Sequence, residues 1–347
     1  MAMTGAWKRI TAALCALMLL LPAGFAGAEQ QVRLNTAQKA LAYVEENHPE
    51  ELDLGEVRMT PQELWSIKQR MPEGAVLHFS TKWGGVTLTD RDEELNLNKT
   101  KKGANADTIT KLIDLMPSLK KVDVSEHRSI PMDVMAGLAD SHPDIQFVFY
   151  VVLNRHHSLL SNHSAYSSFN EPSEPVKLTS KQLENLRYAP GIKALDLGHN
   201  KITSLDFLKY FPDIEFLILG DNQISDLAVL GTLKHLKYLE MFSVPITDIS
   251  PLANCKELLD LNLSYCSGVT DLSPLDEVTS LERFWGNHMN GLTEEQKAHF
   301  IETHPQTETV FEGQHATSDG WRIHDRFQHY RWCLHHHVWI PFDQPLP

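Results

Sequence analysis

The side chains best suited to chemistry gather towards the C-terminus, where His324, His329, Cys333, His335, His336 and His337 stand close together. Neutral imidazoles and a thiolate are ligands for Zn²⁺ or Cu²⁺. No four-ligand spacing emerges from them, so the tract is His-rich by composition and no metal is expected. His299, Glu302 and His304 approach the H-x-x-E-H motif of a zinc protease, but one residue too many separates Glu302 from His304. On a helix that residue rotates the second imidazole by about 100°. His156 and His157 fall in a polar stretch without a partner motif. The sequence holds no G-x-S-x-G elbow, no H-E-x-x-H helix and no phosphate-cradling G-x-x-x-x-G-K-[ST]. Scattered Asp and Glu read as solvated faces. The expectation is a protein without catalysis or cofactor. A metal-dependent hydrolase would rest on the histidines alone.

Charge and composition remove other classes. The 347 residues carry 31 Lys plus Arg against 45 Asp plus Glu, a formal charge of −14. Nucleic acid and anionic membrane surfaces need the opposite sign. Hydrophobic content of 42% with 22% charged residues is that of a folded chain with a sizeable core. At the N-terminus, Lys8 and Arg9 precede an apolar run from Ile10 to Leu21, Pro22 breaks it, and Ala26-Gly27-Ala28 offers a cleavage site. Residues 1–28 therefore read as a signal peptide, and the protein as exported. Cys15 follows Leu14 inside the run, which does not fit a lipid-anchored cysteine. Cleavage loses Lys8 and Arg9 but no acid, so the charge becomes −16. The body of the chain has no apolar stretch of the roughly 20 residues that span a bilayer. Cys255, Cys266 and Cys333 remain; an odd set builds no disulfide framework, so the fold must rest on its apolar core.

Such residues have to be positioned by something, and the chain supplies a repeat. Four segments align at 22 residues, beginning at Ile192, Ile214, Leu236 and Leu258. Their apolar pairs are Leu195/Leu197, Leu217/Leu219, Leu239/Met241 and Leu261/Leu263. Asn200 and Asn222 follow the first two pairs by three residues, and Val244 and Cys266 take that place in the next two. This is the pattern L-x-x-L-x-L-x-x-N/C-x-L. Two apolar residues at spacing two point to one face of a short strand. The asparagine can satisfy buried backbone groups where the chain turns away, giving a ladder of Asn200, Asn222, Val244 and Cys266. One coil cannot bury its own apolar face, so the coils must stack.

A looser repeat flanks these coils. A strand pattern follows Pro117, Pro143, Pro190 and Pro212, and more loosely Pro49, Pro72 and Pro305; Leu95-x-Leu97 and Val176-x-Leu178 fill the longer gaps. Thr60, Thr179 and Thr293 each precede Glu or Gln by three residues, the signature of a helix start. The expected fold is an α/β solenoid, a leucine-rich-repeat horseshoe. Residues 29–155 form longer strand-helix units, 156–180 a loop or irregular coil, and 181–311 tighter coils with a capping helix. Residues 312–347 form an aromatic, His-rich tail, read as a cap or a loose end.

On these residues the chain resembles the internalin-like class of bacterial leucine-rich repeats, closely over 190–285 and more loosely over 50–150. The wider arrangement is similar to secreted or surface proteins of gut-type Gram-positive bacteria. The resemblance implies a right-handed solenoid that binds protein partners along its concave strand face. No LPXTG-type sorting signal or cell-wall module is found, and the cysteine-rich caps of animal extracellular repeats are missing. The sequons at Asn98, Asn162 and Asn262 are then incidental.

The positions beside the strand leucines should face the concave side. They include Asp196, Phe216, Ile218, Tyr238, Glu240, Phe242, Asp260, Asn262, Tyr265 and Trp285. Phe216, Ile218, Tyr238, Phe242 and Trp285 would then be solvated, and a group of exposed aromatics marks an interaction surface. The opposing reading is that aromatics pack on neighbouring coils or that flanking segments cover the face. The expected partner is an extracellular or cell-surface protein. A glycan or cell-wall polymer held by the aromatic strip is the second expectation.

Overall fold

A computed structural model describes residues 33–100, 104–170 and 177–347; the signal peptide expected at 1–28 lies outside them. The N-terminal part alternates helices and strands: α1 (Ala37–Asn47), β1 (Glu51–Val57), α2 (Pro61–Lys68), β2 (Val76–Trp83), β3 (Val86–Thr89), β4 (Glu94–Asn96), α3 (Ala106–Leu115), β5 (Lys121–Asp123), α4 (Met132–Ser141) and β6 (Gln146–Val148). β1 and β2 pair in parallel and β3 returns antiparallel on β2, while β4, β5 and β6 form a second parallel sheet. α2 starts where the Thr60 signal placed it. The Thr60 N–H donates to Glu63 Oε2 at 2.8 Å, and the Glu63 N–H donates back to Thr60 Oγ1 at 3.3 Å.

Within 156–180, expected as a loop or irregular coil, the described residues 156–170 include short strands. β7 (Tyr150–Val152) and β8 (Ser158–Leu160) form an antiparallel hairpin, and β9 (Ala165–Ser167) opens the main sheet. Leu159, Ala165 and Tyr166 are buried, apolar anchors among many serines. β9 neighbours the first regular coil; Val176 of the expected Val176-x-Leu178 strand lies outside the described residues, and Leu178 is buried.

From there the chain is a regular solenoid. After α5 (Ser180–Leu183) come β10 (Ala194–Asp196), β11 (Phe216–Ile218), β12 (Tyr238–Glu240), β13 (Asp260–Asn262), β14 (Arg283–Trp285), α6 (Glu294–Thr303) and β15 (Glu308–Val310). Together β9 to β15 make a seven-stranded parallel sheet in sequence order. Leu195 pairs with Leu217, Leu217 with Leu239, Leu239 with Leu261, and Leu261 with Phe284. This register stacks the apolar pairs inside the coils, where Leu195, Leu197, Leu217, Leu219, Leu239, Met241, Leu261 and Leu263 are fully buried. The return path of each coil is a 3-10 turn, at Asp206–Tyr210, Ala228–Thr232, Ser250–Asn254 and Ser273–Glu277. Pro251 and Pro274 occupy the first turn in the last two, where the missing N–H costs nothing.

Two devices turn the chain out of each strand. His199, Asp221, Ser243, Tyr265 and His288 all take left-handed backbone conformations, with φ between 54° and 64°. The asparagines then fill the turn. Asn222 accepts the Ile202 N–H at 2.9 Å and donates to the Leu197 and Leu219 carbonyls at 2.9 and 2.8 Å. Asn200 accepts from Leu178 N–H at 2.7 Å and donates to the Leu197 carbonyl at 3.0 Å. At the same place Cys266 Sγ donates to the Met241 carbonyl at 3.1 Å, and burial pushes its thiol up to about 12.

The C-terminal segment is ordered and closes on the sheet. After Val310 it runs along the concave face and forms α7 (Asp325–His336). A second apolar core results. It joins Phe216, Ile218, Tyr238 and Trp285 of the strands to Trp321, Phe327, Tyr330, Cys333 and Leu334 of the tail, and shares no residue with the core inside the coils. Among the described residues no helix is long and apolar enough to cross a membrane.

Candidate functional site: the concave face and the segment seated on it

The strand positions named from the sequence lie on the sheet face away from the core inside the coils, but most are not solvated. Phe216, Ile218, Tyr238 and Trp285 are buried because residues 312–347 fold back over them, while Phe242 is buried on the neighbouring coil, against Gly220 and the His199 ring. Glu240, Asp260 and Asn262 are buried with them, Asp196 is half-buried, and Tyr265 stays 38% exposed. The physical cause is a match between two apolar surfaces. Phe327, Tyr330 and Leu334 lie on one face of α7, at spacings of three and four, and the strands offer an aromatic strip that would otherwise meet water.

The extended part of the tail is held by its carbonyls. His288 Nε2 contacts the Gly313 carbonyl at 2.9 Å, and Tyr265 donates to Gln314 at 3.3 Å. Asn287 donates to His315 at 3.1 Å and Asn262 to Ala316 at 2.8 Å. Trp285 Nε1 donates to the Ser318 carbonyl at 3.0 Å, and Arg283 to that of Trp321 at 3.0 Å. A Cβ on Gly313 would crowd Asp319 Oδ2 and lie 2.5 Å from Asn287 Nδ2, so a larger residue there would have to displace both side chains. Gly320, at φ 95°, gives the left-handed bend that sends Trp321 inward.

Charge fixes the register of the tail. Glu240, with 0% exposure, accepts from Tyr238 Oη at 2.9 Å and Trp321 Nε1 at 2.6 Å, and pairs with Arg322. Asp260, also 0% exposed, accepts from Arg326 at 2.8 Å and lies 3.4 Å from Arg283. Arg326 also reaches Glu282. Arg283 stacks on Trp285 and Trp321, its guanidinium 5.0 and 4.6 Å from the ring centroids. Burial raises the Asp260 carboxyl despite Arg326, and burial together with the Glu240 charge raises the Tyr238 phenol well above its ordinary value. Buried carboxylates of this kind are tolerated because each has a cation and hydrogen-bond donors.

The far end of the tail rests on the first strands. Trp339 N–H donates to Ser164 Oγ at 2.7 Å and its Nε1 to Glu215 at 3.1 Å. His337 stacks on His163 with ring centroids 4.4 Å apart, and neither Nδ1 finds a hydrogen-bond partner. Burial, then the neighbouring His337, lowers His163 to about 4; burial lowers His337, with His335 and His336 adding to it. Both rings are held neutral when the tail is seated. Above the ordinary imidazole value the docked and free tails bind the same protons. As pH falls from about 6.5 towards 4 the chain with its tail released takes them up first, on His163 of the body and His337 of the tail, so seating weakens over that window. Tail proteolysis should therefore accelerate between pH 6.5 and 4, and His163→Phe should flatten that rise.

The histidines and cysteine of the tail are dispersed rather than gathered. Cys333 is buried against Ile340, His329 contacts the Ile340 carbonyl through Nε2 at 2.7 Å, and His336 stacks on Trp332. Among the described residues no group of three His, Cys, Asp or Glu could hold a metal ion. His299 pairs with Asp276 at 3.0 Å, which raises its imidazole, while His304 is buried against the Leu275 carbonyl. Glu302 does not join them.

One part of the face remains open. A cleft of about 760 Å³ lies between α7 and the first coils. Its lining includes Phe169, Asp196, Arg322, Arg331 and Trp332. Phe169 is 70% exposed, and the sequence reading had not singled it out. It sits in the serine-rich stretch where no periodicity marks the strand.

No protein-family model matches the chain, and no curated protein matches it. Solved structures do resemble it. Internalin C2 of Listeria monocytogenes is 21% identical over 43% of this chain and 75% of that one, with a TM-score of 0.31. A second internalin of the same organism is 14% identical over 80% and 83%, with a TM-score of 0.33. A leucine-rich-repeat protein of Leptospira interrogans is 14% identical over 75% and 71%, with a TM-score of 0.31. At TM-scores this low the likenesses carry no argument, and the coil geometry alone carries the assignment. With its 22-residue coils, three-residue parallel strands, asparagine turns and 3-10 returns, the chain is a leucine-rich-repeat solenoid.

Proposed function

We propose that this is an exported, non-catalytic bacterial protein whose concave strand face recognises polypeptide. One observation carries the reading: the face already holds a polypeptide, its own residues 313–321, through a row of side-chain donors to consecutive stretches of main chain. Main-chain recognition with apolar anchoring is how proteins bind extended partners. The sequence of the first 28 residues supports export. A partner would approach at the open end of the face or compete with the tail. Glycan binding by the aromatic strip has less support, since that strip is covered.

The test is capture from epithelial-surface, mucus and bacterial-envelope extracts, comparing the parent chain with a Phe169→Ala/Trp332→Ala variant. These side chains are at the open cleft, so the variant keeps its coils. A protein target held by the parent, lost by the variant and abolished by protease treatment is the expected result. Capture that survives protease treatment, or is equal for both chains, would contradict it.

A further inference from the structure

The concave face carries three acids, Asp196 on β10, Glu240 on β12 and Asp260 on β13. The tail answers two of them with arginines, Arg322 on Glu240 and Arg326 on Asp260. Asp196 has none. Its carboxylate accepts from Ser167 Oγ at 3.1 Å and from the Gly198 N–H at 3.2 Å, and no cation of the described residues comes within ion-pair distance. It lines the open cleft together with Phe169, Trp332 and Phe327.

We infer that this open end of the concave face is a site for an arginine side chain of a partner polypeptide, taken past Phe169 and Trp332 onto the Asp196 carboxylate. The inference rests on the reading of the face as a polypeptide-binding surface. Arginine is favoured over lysine because the chain's own arginines use the same chemistry. Arg322 lies over Phe327 at 5.5 Å while pairing with Glu240, and Arg283 stacks on two tryptophans beside Asp260. A planar guanidinium satisfies a carboxylate and an aromatic face together, which an ammonium does less well. Burial raises the Asp196 carboxyl, with the Glu240 charge adding to it, so an incoming cation removes an electrostatic cost already present. Four groups oppose entry or shape it. Arg322 acts on Asp196 through space but is engaged by Glu240, while exposed Arg331 stands in the cleft wall beside His335 and His336. The partner's arginine therefore enters best with an acidic neighbour over Arg331.

The probe is acetyl-Trp-Arg-amide, which copies the way Trp321 and Arg322 meet Glu240, titrated into the full chain by NMR. The Gly198 amide, bonded to the Asp196 carboxylate, reports binding. The expected result is a saturable shift of that amide. Replacing arginine by citrulline, neutral and of the same shape, should weaken binding at least about tenfold. Asp196→Asn should do the same, and Arg331→Glu, at an exposed position, should tighten it several-fold by removing like charge. Equal binding of the arginine and citrulline peptides would overturn the inference. So would indifference to Asp196→Asn in a folded variant, or to Arg331→Glu. If no peptide binds while a protein target is still lost with the Phe169→Ala/Trp332→Ala variant, the arginine site falls and polypeptide recognition stands.

Discussion

Replacing Trp321 with alanine should release the tail while leaving the coils folded. Trp321 is fully buried and touches Tyr238 and Trp285, with ring centroids 5.3 and 5.2 Å away. It also stacks under Arg283 and donates to Glu240. Removing a buried tryptophan typically costs about 3–5 kcal/mol. Here the cavity opens in the core between tail and strands, which has no residue in common with the core inside the coils. The loss therefore falls on docking rather than on the solenoid. Trypsin should then cut the variant rapidly at Arg322, Arg326 and Arg331, while its circular dichroism keeps the signal of the coils. A tail that stays protected in the variant would show that its seating does not depend on this anchor.

The second large effect belongs to the ladder. Asn222→Ala leaves the Ile202 N–H and the Leu197 and Leu219 carbonyls with one partner fewer, all in a buried turn. The Leu197 carbonyl keeps the Asn200 amide, but the Ile202 N–H and the Leu219 carbonyl lose their side-chain partner, and at about 1–3 kcal/mol for each buried polar group left unsatisfied the substitution should cost about 2–5 kcal/mol. Urea unfolding of the full chain measures this directly. Coils depend on their neighbours for burial, so the loss should lower the midpoint of the entire solenoid transition rather than of one coil. A cost below about 1 kcal/mol would mean that water replaces the asparagine in the turn.

Much of this was legible in the residues. The inward leucine pairs define strand face and register, because a one-residue slip would turn every one of them outward. The threonine caps mark α2 and α6 for the same local reason, two backbone donors satisfied by one reciprocal pair. The strand β9 was hidden because Ser164, Ser167 and Ser168 surround a single buried alanine-tyrosine pair, too short to show a period. The left-handed turn at His199, Asp221, Ser243, Tyr265 and His288 uses side chains of many kinds, so no glycine column announces it.

The covered face was the main departure. Its outward positions were readable, but their exposure depended on a segment between 33 and 124 residues away in sequence. Two signals pointed to the pairing. The aromatic strip of the strands had no partner within the coils, and Phe327, Tyr330 and Leu334 made a helical stripe that also had none. Arg322, in the turn before α7, and Arg326, in its first turn, match acids on adjacent coils, Glu240 and Asp260. Complementarity of this kind appears only when both surfaces are placed in space.

That the tail is the resident ligand of the concave face is most directly tested by hydrogen exchange on the full chain, followed residue by residue through α7. A helix of 12 residues is marginal alone in water and exchanges within seconds unless it is packed. Docked as described, the amides from Phe327 to Leu334 should exchange at least about 100-fold more slowly than those of a free peptide of the same sequence, and protection should fall together with that of Trp321 in the Trp321→Ala variant. Exchange of α7 at the free-peptide rate in the parent chain, with the strands still protected, would contradict the account.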